Sequence, residues 1–311
     1  MEAGRVREGG WRRPLALLTV ALMLAVGQPL VVVAITFGLL AFLSPGVRLG
    51  VRVLAAVGLG LTFAGEPQGG FWYLERGWAL VVGGAFVALS LARPLSSFLF
   101  RGMASVAMGA VSVALAGLVL GGWEQIDWLI TQRVEQSVSA SLQAFAILGG
   151  GETQPGLQET LSMAGEVQNV LFPALVALST LAALGVAWWL HVRVGLAAPA
   201  GGLGPLREFR FPDALIWAFI AGLVLLLVTE WSDGWGRVGT NVVAFMAALY
   251  LLRGAGVLLF LWGGISWASG LLLVIGVLLA GPVLALAAML VGVGDSWFDL
   301  RRRLDGPSAD E

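Results

Sequence analysis

One histidine, His191, and no cysteine are all that this 311-residue chain offers to a soft metal or a thiol mechanism. Without cysteine there are no disulfides, thiolate nucleophiles, iron–sulfur ligands or thiolate zinc sites, and a lone imidazole cannot serve a site that needs two. All 18 basic residues are arginine. Without lysine there is no Schiff-base amine and no phosphate-loop lysine, so the chain is not expected to hydrolyse ATP by itself. Neither paired carboxylates nor a Ser/His pair falls inside an apolar block. The chain therefore reads as a non-enzyme, with no catalytic residues, no cofactor and no metal.

A few polar residues stand in unusual company. Arg253 lies inside the apolar block Val242 to Trp262, next to Gly254. A guanidinium at that depth must snorkel outward or face the bundle interior, where it would contact an anion, a polar substrate or backbone carbonyls. Gln28 and Asn241 sit near or within apolar blocks, and each reads as helix-to-helix glue or a ligand contact. Asp213 follows Pro212 at the start of a block, where an acid complements the helix dipole. No acidic residue is expected in mid-span, which weakens the case for a proton-driven pump. At the C-terminus, Gly294-Asp295-Ser296-Trp297-Phe298-Asp299-Leu300-Arg301-Arg302-Arg303 combines a helix-capping acid, two interfacial aromatics and an arginine triplet. That pattern suits a membrane-surface anchor, or a docking site formed by Asp295, Asp299, Arg301, Arg302 and Arg303.

The elements that hold these residues are set by composition. Hydrophobic residues make up 58% of the chain and charged residues only 12%, with mean hydropathy +0.89. A chain this apolar satisfies its backbone inside lipid by forming helices. The expected fold is all-α, a polytopic transmembrane helical bundle of about eight to nine crossings with one amphipathic insert outside the membrane. Apolar blocks run over 15–43, 51–64, 78–92, 103–120, 170–190, 214–228, 242–262 and 268–291. The first would be roughly 43 Å long as one helix, too long for a hydrocarbon core of about 30 Å, and Gly27-Gln28-Pro29 supplies a break. Splitting it there, and leaving out Arg253 inside a span, places eleven arginines on the cytoplasmic side against six outside. Leaving it whole gives ten against seven. A bend at Gly281-Pro282 offers the last block a way back, and the side of the C-terminus stays open. A cleaved signal ending at Ala25-Val26-Gly27 competes with this scheme, but the apolar run resumes at Leu30, which argues for a retained helix.

Between Gly122 and Gln168 the chain turns polar, with six acids, one arginine and seven glutamines. At helical spacing Trp123, Ile126, Ile130, Val134, Val138, Leu142 and Phe145 share one face, opposite Gln125, Gln132, Gln136 and Gln143. This amphipathic helix ends at Gly149-Gly150-Gly151, and a shorter piece from Pro155 to about Glu166 leads into the next span. It is a surface helix on its own bundle or on lipid, a docking element for a partner helix, or a lid. The organisation is then a basic tail (1–13), a first membrane block (14–121), the polar insert (122–168), a second membrane block (169–293) and an interfacial C-terminal segment (294–311).

Three segments together resemble the YybS-like family of uncharacterised bacterial membrane proteins. They are Phe209-Arg210-Phe211-Pro212-Asp213, the run Asn241 to Tyr250 continuing to Arg253-Gly254-Ala255-Gly256, and Gly294-Asp295 with Phe298-Asp299-Leu300-Arg301. Arg253 departs from that pattern, where a neutral polar residue is expected before the glycine. The resemblance implies a multi-pass protein of the bacterial cytoplasmic membrane. It also implies a distant likeness to the substrate-capture subunits of energy-coupling-factor transporters and to MreD-like cell-shape proteins. Two functions follow: capture or transport of a small molecule with separate energising subunits, or a scaffold that holds envelope-assembly partners. The expected partners are the lipid bilayer and either other membrane subunits or a second copy of the chain, with no nucleic acid.

Overall fold

The structure is a computed structural model that describes residues 16–19, 21, 28–64, 67, 69–148, 155–194, 203–232, 234–262 and 267–301. Among them the regular structure is entirely helical. The helices are α1 (Pro29–Leu43), α2 (Leu49–Phe63), α3 (Gly70–Ala92), α4 (Phe98–Leu120), α5 (Trp123–Leu148), α6 (Pro155–Val194), α7 (Ile216–Val228), α8 (Gly234–Leu261) and α9 (Trp267–Phe298), with 3-10 turns at Leu206–Glu208 and Asp213–Leu215. The chain divides into two compact units, residues 1–203 and 204–311. The division falls within the stretch expected to form one second membrane block.

Local chemistry explains the helix ends. α1 starts at Pro29, where the missing N–H costs nothing, and Gln28 before it is non-helical at φ −104° and ψ 86°. Residues 16–19 are helical too, so the first apolar block is interrupted at Gln28. The Ser97 hydroxyl caps α4 by accepting from the Phe100 N–H at 3.3 Å. At the other end Gly121 takes the left-handed conformation at φ 61°, and the Gly122 N–H returns to the Gly117 carbonyl at 3.1 Å. Arg76 in α3 donates through Nε to the Thr62 carbonyl at 2.8 Å, which places a cation on an orphan oxygen at the C-terminus of α2.

Among the described residues five helices are long and apolar enough to cross a membrane: Gly70–Ala92, Phe98–Leu120, Gly156–Val194, Gly234–Leu261 and Leu279–Phe298. Three apolar helices are shorter: Pro29–Leu43, Leu49–Phe63 and Asp213–Val228. The Pro155 to Glu166 piece is not separate but forms the start of α6, whose 40 residues make about 60 Å of helix. The excess length lies alongside α5. There Ile130 and Val134 bury against Phe172, with Phe71, Ile126, Val138, Leu175 and Val176 packed around them, and Asn169 donates to the Thr131 hydroxyl at 3.2 Å. The amphipathic insert thus seats its apolar face on its own bundle.

α9 is kinked at Ala280 (φ −140°, ψ 34°), just before Gly281-Pro282. A Cβ placed on Gly276 would come within 3.2 Å of Leu284 Cδ1. Eight residues of straight helix separate two positions by about 12 Å along the axis, so the two arms of α9 bend toward one another. The tail 1–13, the Gly149-Gly150-Gly151 stop and Arg302 and Arg303 lie outside the described residues.

Candidate functional site

In the second unit two glycines set the stage. A Cβ on Gly254 would overlap the Ala288 carbonyl, and one on Gly292 would overlap the Tyr250 carbonyl, so α8 and α9 meet backbone to backbone. Asp295, three residues beyond Gly292, is thereby brought against Arg253. Arg253 Nε lies 2.8 Å from Asp295 Oδ2, Nη2 is 3.2 Å from the Asp295 carbonyl and Nη1 is 2.7 Å from Asp213 Oδ1. Arg301 completes the group, with Nη2 2.7 Å from Asp295 Oδ2 and Nη1 2.9 Å from the Arg207 carbonyl, while both Nη atoms reach the Phe209 carbonyl at 3.2 Å. Phe211 covers the Arg253 guanidinium at 5.3 Å. Two arginines face two aspartates, so the network is neutral.

This arrangement settles which of the expected contacts are internal. Arg253, Asp295 and Arg301 are buried, and Asp213 is the one open member at 65% side-chain exposure. Arg253 turns inward, and its acceptors are carboxylates and a carbonyl of its own unit. Asp295 and Arg301 stand inside the unit instead of at a docking surface. Asp299 is half-buried and pairs with Arg210 at 2.9 Å. Its φ of 42° turns the chain after α9, and exposed Trp297 and Phe298 flank that turn. Asn241 donates to the Arg237 carbonyl one turn earlier at 2.8 Å. Asp213, read as a helix-start acid, is both that and a network member.

The first unit holds a cavity of about 280 Å³ beside the break at Gln28. Its walls come from α1 (Pro29, Val32), α3 (Phe71, Glu75, Trp78), α4 (Val106, Ala110, Val113), α5 (Trp123, Ile126, Ile130) and α6 (Phe172, Val176, Thr180). Most of the lining is apolar. The polar members are Gln28, Glu75, Ser179 and Thr180, with Trp78 Nε1 donating to the Thr180 hydroxyl at 3.0 Å. Glu75 is the one ionisable residue in the lining, and its Oε1 is buried without a hydrogen-bond partner. The nearest cation, Arg76 Nη1, stands 3.9 Å from Oε2, too far for a hydrogen bond.

Glu75 escaped the sequence reading, which began this span at Trp78. The structure extends α3 back to Gly70, so a carboxylate enters a helix long enough to span, as Asp295 does near the end of α9. Spacing held the missed signal: Glu75, Trp78, Ala79 and Val82 follow helical periodicity, and the last two are buried. Among the described residues no cluster of His, Asp or Glu could hold a metal ion.

An all-helical chain with long apolar helices, a neutral buried ion network and an apolar cavity defines an integral membrane protein. Residues 17–296 match the family described as Predicted membrane protein (DUF2232), and the chain belongs to that family. No curated protein and no solved structure matches it significantly.

Proposed function

We propose that this protein is a small-molecule capture subunit of the bacterial cytoplasmic membrane, binding its ligand in the cavity beside Gln28 and Glu75. The observation that carries this reading is the cavity itself, close to the size of small-ligand sites, with one carboxylate, Glu75, whose Oε1 lacks a hydrogen-bond partner, among apolar walls. A lone carboxylate without a second acid or a histidine in the lining favours binding over catalysis. The absence of lysine favours a chain that depends on separate energising subunits. This reading extends the resemblance to YybS-like proteins and, more distantly, to energy-coupling-factor capture subunits and MreD-like proteins. It also counts eight or nine crossings, taking α1, α2 and α7 as spans beside the five long helices.

The test is native mass spectrometry of protein extracted gently from its own membrane, with Val113→Trp as the cavity-filling variant. One small molecule retained by the natural protein and lost from the variant, at unchanged helicity, is expected. Retention of lipid acyl chains alone would refute capture. A second reading, a scaffold, is favoured by Trp128, Phe145 and Ile147, large apolar residues exposed on the otherwise polar α5. It predicts stable protein partners that are lost on Trp128→Ser while cavity variants leave them in place.

A further inference from the structure

Arg101 stands in the first unit, in the first turn of α4, and is 1% exposed. Its guanidinium lies 4.3 Å over the Trp188 ring and 5.8 Å from Phe86, an aromatic stack that favours a cation. Yet Arg101 Nε and Nη1 have no hydrogen-bond partner, and neither has the buried Trp188 Nε1. Three N–H donors on two stacked side chains thus lack an acceptor. The hydroxyls of Ser90 and Ser105 donate to the Phe86 and Arg101 carbonyls in their own helices. A buried permanent cation without an acceptor is among the costliest arrangements in a fold, and a stacked ring does not replace the missing hydrogen bonds.

Among the described residues this end of the unit carries bases and no acid. Gly83 packs on Thr36, Phe86 on Trp188 and Phe71 on Phe172, so α1, α3 and α6 run in the same direction and end together. α2 and α4 start at that end. Its segments 44–52, 90–102 and 188–194 contain Arg48, Arg52, Arg93, Arg101, His191 and Arg193 and no acid. The acids of the described part of this unit, Glu75, Glu124, Asp127, Glu135, Glu159 and Glu166, belong to the other ends of these helices and to α5. Arg101 sits about 4–5 Å along the axis from the first residue of a helix long enough to span, close to the level of lipid phosphates.

We propose that Arg101 and Trp188 form an oxyanion site whose ligand is a phosphate group, accepting from Arg101 Nε and Nη1 and from Trp188 Nε1. At this depth the source is the phosphate of an anionic phospholipid. The geometry asks for an acceptor-only group with several oxygens, which a phosphate supplies. The three donors have almost no surface open to a water-sized sphere, so the phosphate seats by displacing the side chains over them, and Arg101 is then satisfied by the bilayer, not by the chain.

The experiment measures the unfolding temperature of the purified full-length protein in neutral detergent. The additions are phosphatidylglycerol, phosphatidylcholine or inorganic phosphate, for the natural protein and for Arg101→Gln, Arg101→Lys, Trp188→Phe and Arg93→Gln. Phosphatidylglycerol is expected to raise the midpoint of the natural protein by about 4 °C or more and phosphatidylcholine to leave it unmoved. Arg101→Gln loses that increment and Trp188→Phe and Arg101→Lys lose part of it, while Arg93→Gln, an equal charge change at an exposed position, keeps it. If millimolar inorganic phosphate gives the same increment, the oxyanion site stands and its source is a free phosphate. An increment preserved in Arg101→Gln, or none in the natural protein, overturns the proposal. Should Arg101→Gln fail to fold, native mass spectrometry of the natural protein decides. One anionic lipid retained through exchange into neutral detergent supports the site, and its absence refutes it.

Discussion

Arg253 Nε and Asp295 Oδ2 lie 2.8 Å apart across 42 residues of chain, and the same oxygen accepts Arg301 Nη2 at 2.7 Å. A single carboxylate oxygen thus joins α8 to the end of α9 and, through Arg301, to the carbonyls of Arg207 and Phe209. Every member of this cluster is expensive to bury alone.

Removing one partner should therefore cost more than replacing the pair. Asp295→Asn is expected to destabilise the second unit by about 3–5 kcal/mol, because Arg301 stays buried without a counter-charge, whereas Arg253→Gln, which leaves Asp295 paired with Arg301, is expected to cost less. The double change Asp295→Leu with Arg301→Met, which leaves Arg253 paired with Asp213, is expected to recover part of that loss. Denaturant titration followed by tryptophan fluorescence checks both, and a double variant no better than the singles would show that the pair acts through geometry alone.

The helix contact beneath the network has its own signature. Gly254→Ala and Gly292→Ala are each expected to lower the unfolding temperature sharply, because a methyl group at either site meets a facing carbonyl. Gly58→Ala, in a helix interior where a Cβ meets nothing within 4 Å, serves as the control and should be neutral or mildly stabilising. Thermal melts of the three variants side by side make the comparison.

Orientation is testable because the chain lacks cysteine. By the distribution of arginine, the base-only end of the first unit is expected in the cytoplasm and the acid-bearing end outside. Ser139→Cys, exposed on α5, should then react with an impermeant maleimide once the outer envelope is open, while Ser96→Cys, between α3 and α4, should react only after the membrane is permeabilised. The reverse pattern would invert the topology.

The C-terminus yields to the same logic. Arg301 bonds to the carbonyls of Arg207 and Phe209, so the end of α9 stands level with the 204–212 segment, which Arg207 and Arg210 lead one to expect on the cytoplasmic side. A fluorescent protein fused after Glu311 is expected to fold and fluoresce, as it does in the cytoplasm. A dark fusion that becomes active as a periplasmic reporter would contradict this.

Apolar blocks made most of the helices legible, because a lipid-facing helix is hydrophobic over its whole length and needs no partner to be recognised. Pro29 announced the break before α1 for a local steric reason. What stayed hidden needed partners. Arg253 stood out as a buried charge, but Asp295 lies 42 residues away in a segment that read as interfacial, and nothing local links the two. Glu75 was obscured because Arg76 beside it made the start of α3 look polar, whereas Arg76 is spent on the Thr62 carbonyl and the Trp72 ring. Arg101 looked like one more loop arginine until α6 brought Trp188 against it.

One consequence concerns biogenesis. The interior of the first unit is walled partly by Trp123, Ile126 and Ile130 of α5, a helix too polar to stay in the bilayer, and these residues meet Phe172 and Val176 of α6, made later by the ribosome. The interior therefore cannot be sealed while the chain is threaded through the insertion machinery one span at a time. With α5 outside, as the labelling above is expected to find, closure waits until α5 has been translocated and α6 has entered the membrane.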